Sequence, residues 1–274
     1  MTAHYTAVAT QVYVWLQMYR RQQRSLEEHL DDVLGEVRTV GFDAFEGWLT
    51  WCSTPAQTQE LGTLLGKHGL QLACLYHSGV YHEREGAEKM VAQTSELSRR
   101  ARDIGCPSIN VNPDPIGRDK TDEELKIQGE FLNRIAQELR GIGLRFTVHN
   151  HTPEMRNDAR EHRANLTHTD ADLVGFCLDL HWVLRGGQDP IAILRETGGR
   201  TQSLHLRNAV NGVWSETLGD GEIEYRRVSE VLHEIDYRGP LIVELAYEQE
   251  TRLTRTLIEN ERLAREYVKR VFGV

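Results

Sequence analysis

The sequence predicts a single α/β domain, a (β/α)8 TIM barrel, on three observations. Short β-rich runs recur along the 274 residues, each followed by a stretch with apolar residues at helical spacing. Glycine often stands just ahead of a run, at Gly41, Gly69, Gly105, Gly143, Gly175 and Gly239. That is where a helix ending in the left-handed region hands the chain to the sheet. Finally, His149, Asp179, His205 and Glu244 end four successive runs late in the chain. Parallel strands bring such ends together on one side of the sheet. A doubly wound open sheet is the runner-up, because periodicity alone does not prove closure.

Taken in order, the strands are expected at Tyr5–Trp15, Ala44–Trp48, Gln71–His77, Ser108–Asn112, Leu144–His149, Val174–Leu180, Gln202–Leu206 and Leu241–Leu245. Each is short and rich in aliphatic and aromatic residues, as a buried strand requires. Between them, spacing such as Leu26, Leu30, Val33, Leu34 and Val37 marks helices. The segment NPDPIGRDKTDEE, about residues 112–124, is a polar loop into a helix whose first turn carries acids from Asp122 to Glu124, favourable at that end of the dipole. A closing helix is expected from Thr251 to Val271, and no linker divides residues 1–274.

Composition narrows the function. A hydrophobic content of 39% supports a substantial core, and a net charge of −9 with pI near 5.8 argues against a nonspecific nucleic-acid surface. No apolar run approaches the roughly 20 residues of a membrane span. The start lacks the charged-then-apolar order of a signal peptide, so a cytoplasmic protein is expected. Cys52, Cys74, Cys106 and Cys177 form no CxxC pair and read as inert reduced thiols, not zinc ligands. There is no P-loop, no GxGxxG after the first strand and no GxSxG.

The strand-end quartet carries the chemistry. Two imidazoles and two carboxylates suit a divalent ion such as Mn²⁺, Zn²⁺ or Co²⁺. Asp179 in GFCLDL and Glu244 in LIVELA stand among apolar residues, where an unpartnered carboxylate is costly. His205 alternates with Leu204 and Leu206, so it faces the barrel interior if they face the helices. His149 and His151 share a strand face, one able to bind metal while the other serves as acid or base. Glu154 is a substrate contact or an alternative ligand. His77 and His82 flank the third loop as substrate contacts or rim residues. His4, His29, His68, His162, His168 and His233 read as solvated.

HNHTPEM, CLDLHWVLRGGQDP, SLHLRN, LGDGEIEY and YRGPLIVEL, in that order, resemble the xylose isomerase-like TIM barrels. More narrowly they resemble the sugar phosphate isomerase/epimerase superfamily, with its branch of inosose dehydratases and 3-keto-sugar lyases. The resemblance implies one divalent metal ion (Mn²⁺, Co²⁺, Zn²⁺ or Mg²⁺) on His149, Asp179, His205 and Glu244, and a small sugar substrate. Many relatives carry Glu at the position of His149 and use two metal-bound glutamates as paired acid and base. Here Glu244 is the one carboxylate of such a pair. Relatives also show Lys-Asp where this chain has Arg207 and Asn208.

The implied reaction is proton abstraction beside a sugar carbonyl, with His151 or Glu244 as base. Isomerisation or epimerisation of a keto-sugar is expected, with β-elimination on an inosose or 3-keto-glycoside as the close alternative. Arg207 is a candidate fork for a substrate oxygen. Trp15, Trp48, Trp182 and Trp214 are candidate walls for the ring. An AP-endonuclease-type enzyme and a non-catalytic sugar-binding barrel are the competing classes, and a homo-oligomer is compatible with all of these readings.

Overall fold

A computed structural model describes residues 5–274; His4 lies outside them. Seven consecutive parallel strands, β1 (Val8–Gln11), β2 (Ala44–Trp48), β3 (Gln71–Gly79), β4 (Ser108–Pro113), β5 (Arg145–His149), β6 (Val174–Asp179) and β7 (Thr201–Leu206), run side by side. An antiparallel hairpin, β8 (Ala209–Val210) and β9 (Val213–Trp214), follows β7. The last barrel strand, β10 (Leu241–Val243), pairs with both β7 and β1 and closes the ring. Closure leaves no unpaired edge.

The surrounding helices are α1 (Tyr13–Arg21), α2 (Leu30–Val40), α3 (Pro55–His68), α4 (Arg84–Asp103) and α5 (Asp122–Gly141), then α6 (Thr152–His168), α7 (Leu180–Arg185), α8 (Pro190–Thr197), α9 (Tyr225–Glu234) and α10 (Leu257–Phe272). Thr121 caps α5 and Thr256 caps α10, each in a reciprocal capping box with the Glu three residues on. Among the described residues no helix is long and apolar enough to cross a membrane.

The core has two parts. A large apolar shell joins the outer faces of the strands to the helices. Inside the barrel, Ala9, Ala44, Ala73, Cys74 and Ile242 form a separate cluster of mostly small side chains near the strand starts. The polar residues occupy the opposite, C-terminal mouth, where barrel chemistry is built.

Three expectations change. The first strand stops at Gln11, and Tyr13–Arg21 is helical, burying Val14 and Trp15. A short apolar run does not distinguish strand from helix by pattern alone. Trp15 consequently sits outside the cavity, its Nε1–H donating to Glu36 at 2.7 Å. The closing helix begins at Leu257, six residues later than expected, because the Thr256 cap starts it there. Gly41, Gly69, Gly105 and Gly143 do take positive φ, but Gly175 and Gly239 do not. Gly239 is required for close approach instead, since a Cβ there would stand 2.1 Å from the Gln202 carbonyl oxygen.

His68 and His162 are not solvated as expected. His68 is half-buried against Asp31 at 2.7 Å. His162 is buried against Phe176 and meets Thr197 Oγ1 at 2.9 Å, and burial pushes it down to about 4. The unfolded chain therefore binds a proton at His162 near the ordinary pKa of about 6.5 while the folded chain does not. Stability from this residue is intact above about pH 6.5 and falls by up to about 1.4 kcal/mol per unit between about 6.5 and 4. Urea unfolding at pH 7 and pH 5 should show a smaller loss in His162→Gln than in the wild type. An equal loss in both proteins would assign the acid sensitivity elsewhere.

Candidate active site

Register explains why the quartet's side chains converge, as two groups that share His205: Asp179, His205 and Glu244, and His149, Cys177 and His205. Asp179 pairs with His205 across β6 and β7, and His149 pairs with Cys177 across β5 and β6. Glu244 follows β10 directly, its N–H held by the Leu206 carbonyl at 3.0 Å. On β7, Leu204 and Leu206 join the outer shell while His205 faces inward, as its alternation predicts. The four side chains border or underlie a cavity of about 210 Å³ at the barrel mouth. Its walls are Gln11, Tyr13, Trp48, Tyr76, His149, His151, Trp182, His205, Arg207, Trp214 and Glu244.

Asp179 is fully buried, and both of its oxygens accept hydrogen bonds. Its Oδ1 accepts the His181 and Trp182 N–H groups at 2.9 and 3.0 Å, capping α7, while Oδ2 receives the Arg207 guanidinium. Arg207 Nη2 also stands 2.9 Å from Glu244 Oε2. The same guanidinium stacks over Trp214 and Trp182, 4.7 and 5.3 Å from their ring centroids. Burial opposes its charge, but Asp179 and Glu244 outweigh that and hold it protonated. Glu244 is the mirror case: burial would raise its pKa, and Arg207, His205 and His149 together hold it below the usual carboxylate range.

The histidines are tuned differently. His149 is buried edge-on to His151, with centroids 4.7 Å apart, and 4.8 Å from His205. Burial first, then the charge of its histidine neighbours, keeps it neutral. His151 is partly open to the cavity, and burial pushes it down to about 4. Burial also disfavours charge on His205, but Cys177, Glu46 and Glu244 outweigh it and raise its pKa well above the ordinary value.

The donor set fits a divalent ion. Asp179, His205 and Glu244 each offer one ligand atom within 4.8 Å of the others. His205 Nδ1 and Glu244 Oε2 stand 2.6 Å apart, two potential ligand atoms turned to the same space. His149 Nδ1 is buried with no hydrogen-bond partner among the described residues. Cys177, read from the sequence as an inert thiol and not a zinc ligand, also lies within reach of His149 and His205. Burial pushes its thiol up, so it suits the floor of the site better than the ligand shell.

Two expected contacts are not brought to the cavity. His77 faces outward from β3, buried with Nδ1 3.2 Å from Thr94 Oγ1 on α4, while its neighbour Tyr76 takes the cavity side. Alternation fixes that choice. Glu154 is buried below the His151–Thr152 turn, where Oε2 accepts the His151 N–H at 2.7 Å. Burial and Glu161 push its carboxyl up to about 8. It orients His151 from behind and does not line the cavity. Nearby, α6 breaks at Asn157, Asp158 and Ala159, which take positive φ of 50°, 60° and 52°, and Asn157 donates to Asp119 of the preceding loop.

Tyr76, Gln11, Tyr13 and His181 are members the sequence reading missed. His181 Nδ1 accepts the Trp214 Nε1–H at 3.0 Å, fixing the hairpin's indole over the mouth. Glu46 was also missed. It is fully buried with Oε2 at 2.5 Å from His205 Nε2. Its signal is visible in FEGW, a carboxylate among apolar and aromatic residues like that of Glu244 in LIVELA.

Residues 34–270 match the xylose isomerase-like TIM barrel family, and the chain belongs to that family. It is 24% identical over 273 residues to an inosose dehydratase of Geobacillus kaustophilus (strain HTA426), covering 88% of this chain and 87% of the relative. It is 23% identical over 269 residues to the rhizopine catabolism protein MocC of Rhizobium meliloti, covering 86% and 81%. Among solved structures, a D-psicose 3-epimerase from Clostridium cellulolyticum H10 superposes with a TM-score of 0.77, covering 97% of this chain and 99% of that one at 16% identity. That last likeness is one of fold.

Proposed function

We propose that the chain is a divalent-metal-dependent dehydratase that removes water from a cyclic keto-polyol of the inosose type. The observation that carries this reading is the asymmetry of the acid/base groups. One wall offers the neutral imidazoles of His149 and His151; the other offers Glu244, held ionised against Arg207. An elimination needs one base and does not need two opposed carboxylates. The inosose dehydratases among its relatives favour the same substrate class.

His149, Asp179, His205 and Glu244 would hold the metal. A bound divalent ion supplies Lewis-acid charge beside the substrate carbonyl. The protein's own groups then act as follows. His151, neutral, takes the proton from the carbon next to the carbonyl, and the C–H electron pair becomes a C=C bond. The β C–O bond breaks, and the hydroxyl leaves with the proton returned from the His151 imidazolium, as water. Trp182 Nε1–H and Arg207 Nε–H, both buried without hydrogen-bond partners among the described residues, supply donors for ring oxygens. Trp48, Trp182 and Trp214 cover the apolar faces of the ring.

Epimerisation is the second reading, favoured by the approach of His151, just after β5, and Glu244, just after β10, onto one cavity. Incubation with an inosose and Mn²⁺ or Co²⁺ in D₂O separates the two. The dehydratase reading expects loss of water and a new enone absorbance. Deuterium in an intact polyol ring would transfer the assignment to epimerisation, and silence across inososes, ketoses and 3-keto-glycosides would leave a sugar-binding barrel.

A further inference from the structure

We propose that Glu46 is a positioning residue that fixes the orientation and tautomer of His205, and through it the affinity of the barrel mouth for a divalent cation. This rests on the reading that His205 is a metal ligand. A carboxylate only accepts hydrogen bonds, so Glu46 Oε2, 2.5 Å from His205 Nε2, requires the hydrogen on that nitrogen. Nδ1 is then the nitrogen that faces Glu244 Oε2 at 2.6 Å. A carboxylate behind a metal-binding imidazole makes it a stronger and better-oriented ligand.

The β2–β3 register shifts beside this contact: Phe45 pairs with Leu72 and Glu46 with Cys74, so the extra residue is Ala73 of β3. Gly47, next to Glu46, lets Trp51 pack onto the strand, since a Cβ there would meet the indole at 2.3 Å. The other oxygen of Glu46 is also held: Asn110 Nδ2 donates to Oε1 at 3.2 Å, and Thr147 Oγ1 donates to Asn110 Oδ1 at 3.1 Å. Thr147, Asn110, Glu46 and His205 thus link β5, β4, β2 and β7 across the barrel interior. Glu46 does not line the cavity, so it acts through His205 and not on the substrate.

Calorimetric titration of the metal-free full chain with Co²⁺, read beside the Co²⁺ absorption spectrum, tests the inference. Glu46→Gln keeps the shape and removes the charge, and its affinity should fall about 10–100-fold with an altered spectrum. Asn110→Ala, one bond further out, should weaken binding in the same direction by less. A lowered melting temperature of the metal-free variant with wild-type affinity and spectrum would make Glu46 purely structural and overturn the proposal. Should Glu46→Gln not fold, wild-type affinity in Asn110→Ala overturns it instead. No Co²⁺ binding by the wild type would remove the metal reading itself, and this inference with it.

Discussion

Asp179→Asn and His205→Ala should each reduce the bound divalent metal from one ion per chain to near none. Asp179 joins two groups at once, capping α7 through one oxygen and meeting Arg207 through the other. Its lone pairs on that side are available to a cation in the same space. The amide removes the charge and leaves Arg207 facing Glu244 alone, so the remaining donors present one carboxylate against a fixed guanidinium. His205→Ala removes the imidazole proposed as a ligand and leaves the buried Glu46 carboxyl without its partner.

Removing one partner of a buried ion pair costs about 3–5 kcal/mol, so both variants should also melt earlier. Metal must therefore be counted per folded chain, by elemental analysis after gel filtration. Arg207→Gln is the informative companion. The guanidinium occupies oxygens of Asp179 and Glu244, the proposed ligands, and its removal should not lower metal content. Wild-type metal in both ligand variants would remove the assignment of the quartet.

Fold and site were not equally legible in the sequence. Strand ends bearing Asp179, His205 and Glu244 announced themselves because a carboxylate or imidazole inside an apolar run needs a partner, and the alternating β/α pattern says where that partner lies. Glu46 carried the same signal in FEGW, but its partner is 159 positions away on β7, and only closure of the barrel makes them neighbours. His77 and Tyr76 are adjacent in LYHSG, and nothing local says which faces the lumen. Glu154 has the spacing of a ligand from His151, yet the same spacing is that of a helix cap, and the backbone turn decided for the cap. The VYVWLQMY run was ambiguous for a simpler reason: strand and helix both bury it.

His151→Gln should retain its metal and lose at least about 10²-fold in turnover, the lower end of what a positioned general base contributes. The glutamine keeps bulk and hydrogen-bonding capacity at the start of α6, and the Glu154 contact is to the backbone N–H, so the turn should survive. Only the proton acceptor is lost.

The pH dependence distinguishes this base from its rival. Burial places the His151 pKa at about 4, so the imidazole is neutral and competent throughout the range above it and becomes protonated only as pH falls through about 4. Wild-type kcat/KM should therefore stay level well below the ordinary histidine value of about 6.5, with its acid limb near 4. A variant with unchanged metal content, near-normal turnover and the same acid limb would transfer the proton abstraction to Glu244. That residue is ionised over the same range, and its carboxylate would then have to leave the Arg207 contact to reach the substrate.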